Sequence, residues 1–154
     1  MDKTYEVRAK PSYCMTCKTC NKRKPPTVLQ NVFPHGRCII DCTKVFIETP
    51  SSLDTQAQCW WDYKHHCTVK FLVAITPNGM FSYISPCYGR WASDTFIFNN
   101  CAFISWLEPN DQVMADRGFK VKGDLMVVQA RLIIYSSEHM WEYSYVIRRC
   151  IRNL

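Results

Sequence analysis

A chain of 154 residues and 18.1 kDa is one ordinary domain's worth of polypeptide, and its 47 % hydrophobic and 21 % charged residues lie far from the composition of a disordered chain. No run of about 18 apolar residues is present, which excludes a spanning helix, and no membrane partner is expected; the charged opening MDKTYEVRAK lacks the apolar core of a secretory signal. The net charge of +6 leans toward a polyanionic partner.

In chain order, residues 1–36 read as an irregular polar leader carrying Cys14, Cys17 and Cys20 and a basic cluster at Lys18, Lys22, Arg23 and Lys24. The Cys-x2-Cys-x2-Cys run has the spacing to chelate zinc, with His35 as the nearest fourth ligand; the plainer reading is reduced thiols. The basic cluster suits a nuclear localisation signal or a phosphate-binding arm, and equally an ordinary solvated surface. From residue 37 the character changes. Cys38, Ile39, Ile40, Val45, Phe46 and Ile47 surround Asp41 and predict a buried strand closed by Pro50. A polar connection over residues 51–56 precedes an aromatic and histidine segment, residues 60–66. Strands are predicted over 69–76 and 80–85, joined by a Pro-Asn-Gly hairpin turn.

Residues 93–107 carry apolar side chains at helical spacing, Phe96, Ile97, Cys101, Ile104 and Leu107, with Ser93 as N-cap and Glu108-Pro109 as the stop. A short strand over 112–116 ends in Arg117-Gly118, a helical turn covers 124–129, and a last strand runs over 131–135. Strands interleaved with a helix predict an α/β fold, a mixed sheet with helices packed on it.

Three aspartates stand where a carboxylate is awkward without a task. Asp41 lies inside an apolar strand, Asp94 opens a helix, and Asp116 ends a strand. Each alone has an ordinary explanation: a partner for a buried arginine, a residue favoured by the helix dipole, and a turn former before glycine. Together, acids converging on one sheet edge can share divalent cations, and Mg²⁺ or Mn²⁺ held by carboxylates and water serves phosphoryl transfer on phosphodiesters.

The stretch from CIIDCTKVFIE through WWDYKHH, ITPNG and SD, with VMADRGF after it, resembles the DDE superfamily endonuclease domain of Harbinger-type transposases and of proteins derived from them. The resemblance covers residues 37–134 and implies an RNase H-like fold, Mg²⁺- or Mn²⁺-dependent cleavage and strand transfer of DNA, and a nuclear location. Residue by residue, Asp41 matches the first acid, Asp116 the acid of ADRGF, and Asp94 the acid of SD; all three are the implied catalytic residues and metal ligands. Lys64 and His65, after Trp60, Trp61 and Tyr63, are implied DNA contacts, the rings being suited to stack on unpaired bases, and Arg117 joins them.

The departure from the family is at residues 135–154, a divergent tail where the family has a longer connection, a helix bearing the last acid, and a basic stretch. Glu142, followed by Arg148, Arg149 and Arg152, stands in for that acid, with Glu138 as its competitor. The short connection leads us to expect a C-terminally truncated or decayed copy. The alternative function is accordingly a catalytically impaired DNA-binding or protein-interaction module, and target recognition is expected to fall to a separate partner protein.

Overall fold

The computed structural model describes residues 36–63, 65–77 and 80–134. The β-branched run around Asp41 forms a long strand, β1 (Gly36–Ile47). Beyond Pro50 the polar connection turns out to be helical: α1 (Leu53–Cys59) begins where the Ser52 carbonyl accepts from Gln56 N at 2.9 Å, with Asp54 in its first turn. β2 (Trp60–Trp61) then reverses tightly into β3 (His66–Ile75), the long second strand. His65 makes that reversal with φ of 52°, its N–H donating to the Trp61 carbonyl at 2.8 Å. β4 (Phe81–Ile84) follows the predicted hairpin, whose flanks close through Thr76 N–H to the Met80 carbonyl at 2.8 Å; Asn78 and Gly79 lie outside the described residues. β5 (Tyr88–Gly89) adds a short second partner to β3.

The predicted helix over 93–107 is realised in part. α2 (Asp94–Asn100) starts as expected, with the Ser93 hydroxyl accepting from Phe96 N, but Cys101 is extended and a 3-10 turn follows at Ile104–Trp106. Asn100 ends the helix by donating its side-chain amide to the Phe96 carbonyl at 2.8 Å. The break lets Phe103, fully buried, wedge between Tyr83 and Phe98, each ring 5.6 Å from its own. β6 (Gln112–Ala115), α3 (Lys122–Val127) and β7 (Arg131–Ile134) complete the described chain.

The strands form one seven-stranded mixed sheet in the order β2-β3-β1-β6-β7, with β4 and β5 also paired to β3. β3 runs antiparallel to β1 from Ile39↔Ile75 to Ile47↔Cys67, whereas β6 is parallel to β1 and β7 parallel to β6. Side chains alternate across this sheet into two cores. On one face Ile40, Leu72, Ala74, Val113 and Ala115 pack with Ile97, Phe98, Phe103 and Leu125, so α2 and α3 cover that side. On the other face lie Ile39, Phe71, Val73, Ile75 and Met114. Burial on both faces explains why β1 and β3 read as almost unbroken apolar runs.

Candidate active site

Asp41 sits in the middle of β1 opposite Val73 of β3. The parallel register of β1 and β6 ends at Ile40↔Ala115, and Asp41 and Asp116 are the next residue on each segment, Asp116 lying just past the end of β6. Alternation puts Asp41 on the face of Ile39 and Val73; carried one residue past β6, it puts Asp116 on the same face, that of Met114. Both acids are half-buried. The chain turns away from the sheet at this level: the Asp116 carbonyl accepts from Phe119 N at 3.0 Å, and its Oδ1 accepts from Arg117 N at 2.6 Å. Since β6 stops at Ala115 while β1 runs on to Ile47, a step is left in the sheet beside Asp41.

Asp94 is held elsewhere. Its Oδ1 lies 2.5 Å from Lys70 Nζ, which also donates to the Ala92 carbonyl at 3.2 Å. Lys70 pairs with Tyr88 and alternates with Leu72 and Ala74, so it belongs to the face covered by α2, opposite to that of Asp41. Burial, together with the adjacent Asp94 carboxylate, holds the Cys42 thiol of that face well above its usual range. The structure thus places Asp41 and Asp116 one residue beyond the last β1–β6 pair and engages Asp94 in an ion pair on the opposite face of the sheet. Among the described residues no group of three or more His, Cys, Asp or Glu side chains could hold a metal. The pair Asp41 and Asp116 does fit Mg²⁺ or Mn²⁺ in donor chemistry, as hard carboxylate oxygens that leave room for water and phosphate.

Of the expected DNA contacts, His65 is exposed in its left-handed turn, its ring edge-on to Trp60 with centroids 6.5 Å apart, and Arg117 is exposed in the turn after Asp116. Lys64, Glu138, Glu142, Cys14, Cys17, Cys20, His35 and the basic cluster lie outside the described residues. The described cysteines, Cys38, Cys42, Cys59, Cys67, Cys87 and Cys101, are all free thiols. The sequence reading missed Lys70. Its signal was present, a lysine within the apolar run VKFLVAI, where a cation needs a carboxylate partner.

The model of a family described as DDE superfamily endonuclease matches residues 40–145, more than half of the chain. No curated protein and no solved structure matches it.

Proposed function

Because the chain belongs to the DDE endonuclease superfamily, we propose that it is a divalent-metal-dependent, transposase-like nuclease acting on DNA phosphodiesters, with Asp41 and Asp116 as its principal metal ligands. The observation that carries this reading is the β1–β6 register, whose last pair, Ile40↔Ala115, immediately precedes the two aspartates. Asp41 and Asp116 would hold Mg²⁺ or Mn²⁺, which would supply Lewis acidity for attack by water or a 3′-hydroxyl at phosphorus. The residues of the chain do the rest. Asp41 lies in β1 and Asp116 just past the end of the neighbouring β6, and the Arg117 amide orients one oxygen of Asp116. Arg117, His65 and Lys64 supply cationic or hydrogen-bonding contacts to the DNA backbone.

The finer placement follows the same resemblance. An antiparallel β1–β3–β4 meander extended by parallel β6 and β7 agrees with an RNase H-like fold. The motifs support a Harbinger-type subgroup, nuclear location and a separate DNA-recognition partner. Glu142 is our candidate for the third carboxylate. The test is nicking of supercoiled plasmid in Mn²⁺. Wild type nicks, Asp41→Asn and Asp116→Asn reduce nicking to background with unchanged circular dichroism, and Glu142→Gln reduces it more than Glu138→Gln. Equal nicking by wild type and the two aspartate variants refutes the assignment.

A second reading, a DNA-binding or protein-interaction module without catalysis, draws on the Lys70–Asp94 pair, which engages the acid of the SD motif on the opposite face. Cation and DNA binding without nicking would favour it.

A further inference from the structure

The end of α1 meets the start of β3 at a pair of thiols. Cys59 is the last residue of α1 and its buried one, 3 % exposed, with Sγ donating to the Gln56 carbonyl at 3.6 Å. Cys67, the second residue of β3, is 1 % exposed and lies opposite Trp60 in the β2–β3 ladder, one residue across from Cys59. The two thiols share a small core with Val69 and a side-chain hydrogen bond with one another. Cys87 packs against the same core, but Tyr88 pairs with Lys70, which sets Cys87 level with Phe71. That is four residues from Cys67 along β3, about 13 Å. Between Cys59 and Cys67 the chain makes the hairpin of residues 60–66, held to β3 by the ladder pairs Trp60↔Cys67 and Trp61↔His66. Cys59 is the buried residue of α1, so lifting this helix from the sheet costs little packing and uncovers both sulfurs.

The geometry points to a modification site, in which Cys59 and Cys67 are a dithiol that a peroxide converts reversibly to a disulfide, fastening the base of the hairpin that presents His65. One thiolate attacks hydrogen peroxide, displaces hydroxide and becomes a sulfenic acid. The second attacks that sulfur and expels its oxygen. Two thiols and one peroxide thus give one disulfide and two waters, with two electrons passing from sulfur to oxygen. A dithiol reductant reverses the reaction by exchange. Burial, and then the Cys67 thiol beside it, push Cys59 up to about 11. At neutral pH the pair therefore rests as thiols, and oxidation quickens with opening of α1 and with rising pH. The inference rests on the nuclease reading only for what the hairpin touches, since that reading sets Lys64 and His65 against the DNA backbone. A fastened hairpin is already ordered when DNA arrives, so the oxidised protein holds duplex more tightly.

The experiment treats the full chain, freed of reductant, with hydrogen peroxide, blocks the remaining thiols with N-ethylmaleimide and digests with trypsin. Cleavage after Lys44, Lys64 and Lys70 leaves Cys59 and Cys67 as the sole cysteines of peptides 45–64 and 65–70. These two peptides should be found joined, two hydrogens lighter than their sum, with the link forming faster as pH rises, persisting in Cys87→Ser and cleaved by dithiothreitol. Maleimide on both peptides after peroxide, or Cys59 or Cys67 joined to a different cysteine, overturns the proposal. Anisotropy of an end-labelled duplex, in chelator, is the second readout: oxidised wild type binds about threefold more tightly than reduced, and Cys59→Ser and Cys67→Ser bind alike with and without peroxide. A link that leaves duplex affinity unchanged overturns the control of DNA binding. Failure to bind duplex in either state, with the link intact, sinks the nuclease reading and spares the disulfide; Asp41-dependent nicking by a protein that forms no link does the reverse.

Discussion

Lys70→Met separates the two roles available to Asp94. In the native protein the Lys70 side chain is 13 % exposed and that of Asp94 34 % exposed, so the pair is largely withdrawn from water on the lysine side and partly wet on the other. Removing one partner of a fully buried pair costs about 3–5 kcal/mol. The partial exposure of Asp94 lets water recover some of that, and we expect a loss of about 2 kcal/mol, or about 4–8 °C in melting temperature for a chain of this size. Asp94→Asn loses somewhat less, because Lys70 keeps its bond to the Ala92 carbonyl. In a double-mutant cycle read by urea unfolding, Lys70→Met and Asp94→Asn couple by about 1 kcal/mol. Cleavage is the second readout: a structural Asp94 loses stability and nicking together, and nicking returns at a temperature where the variant is folded. If Asp94→Asn melts with the wild type and has no Mn²⁺-dependent nicking at any temperature, the reasoning is refuted and Asp94 acts with Asp41 and Asp116 despite its lysine.

Three further outcomes can be checked on the same material. Burial pushes the Cys38 thiol up to about 12, above its unfolded value of about 8.5; its contribution is therefore complete below that unfolded value and is lost as pH rises toward the folded one. The urea midpoint should hold to about pH 8.5 and then fall, each such thiol contributing a slope of about 1.4 kcal/mol per pH unit, and Cys38→Ala should flatten the fall while lowering the neutral-pH midpoint. Ser93→Ala removes the hydroxyl that accepts from Phe96 N at 3.1 Å and should cost about 1 kcal/mol, read as a lower melting temperature. His65→Asn occupies the same left-handed position with a residue that tolerates it well; melting should rise slightly or hold, while affinity for duplex DNA falls if the imidazole contacts phosphate.

Local chemistry made much of this fold legible. β1 and β3 declare themselves through apolar runs buried on both faces, and Ser93 is recognisable as a cap by its residue type. α1 does not, because Cys59 is its buried residue and Leu53 is 79 % exposed, which leaves no apolar stripe to read. The end of α2 is hidden for the opposite reason. Ile97, Cys101, Ile104 and Leu107 keep helical spacing straight across the break because the pieces on either side pack into one core, and only the Asn100 side chain, turned back on Phe96, tells them apart. The site divides likewise: strand alternation assigns Asp41 a face, but its closeness to Asp116 depends on the parallel β1–β6 pairing between distant segments, and the engagement of Asp94 depends on a lysine in another strand.

That division between faces constrains any third acid. A carboxylate joining Asp41 and Asp116 has to reach the face of Ile39 and Met114, whereas Asp94 approaches from the side of α2. β7 is the last described strand, and its final pair, Ala115↔Ile134, releases the chain at the same edge where Asp116 stands. Two strand spacings, about 10 Å, separate that point from β1. A fully extended chain covers at most about 3.3–3.6 Å per residue, so four residues to Glu138 could reach about 13–14 Å and eight to Glu142 about 26–29 Å. Both acids are therefore within reach of Asp41, and the brevity of the segment after β7 is no physical obstacle to a third carboxylate. What selects between them is the face each can approach, which makes the comparison of Glu142→Gln with Glu138→Gln a test of direction rather than of length.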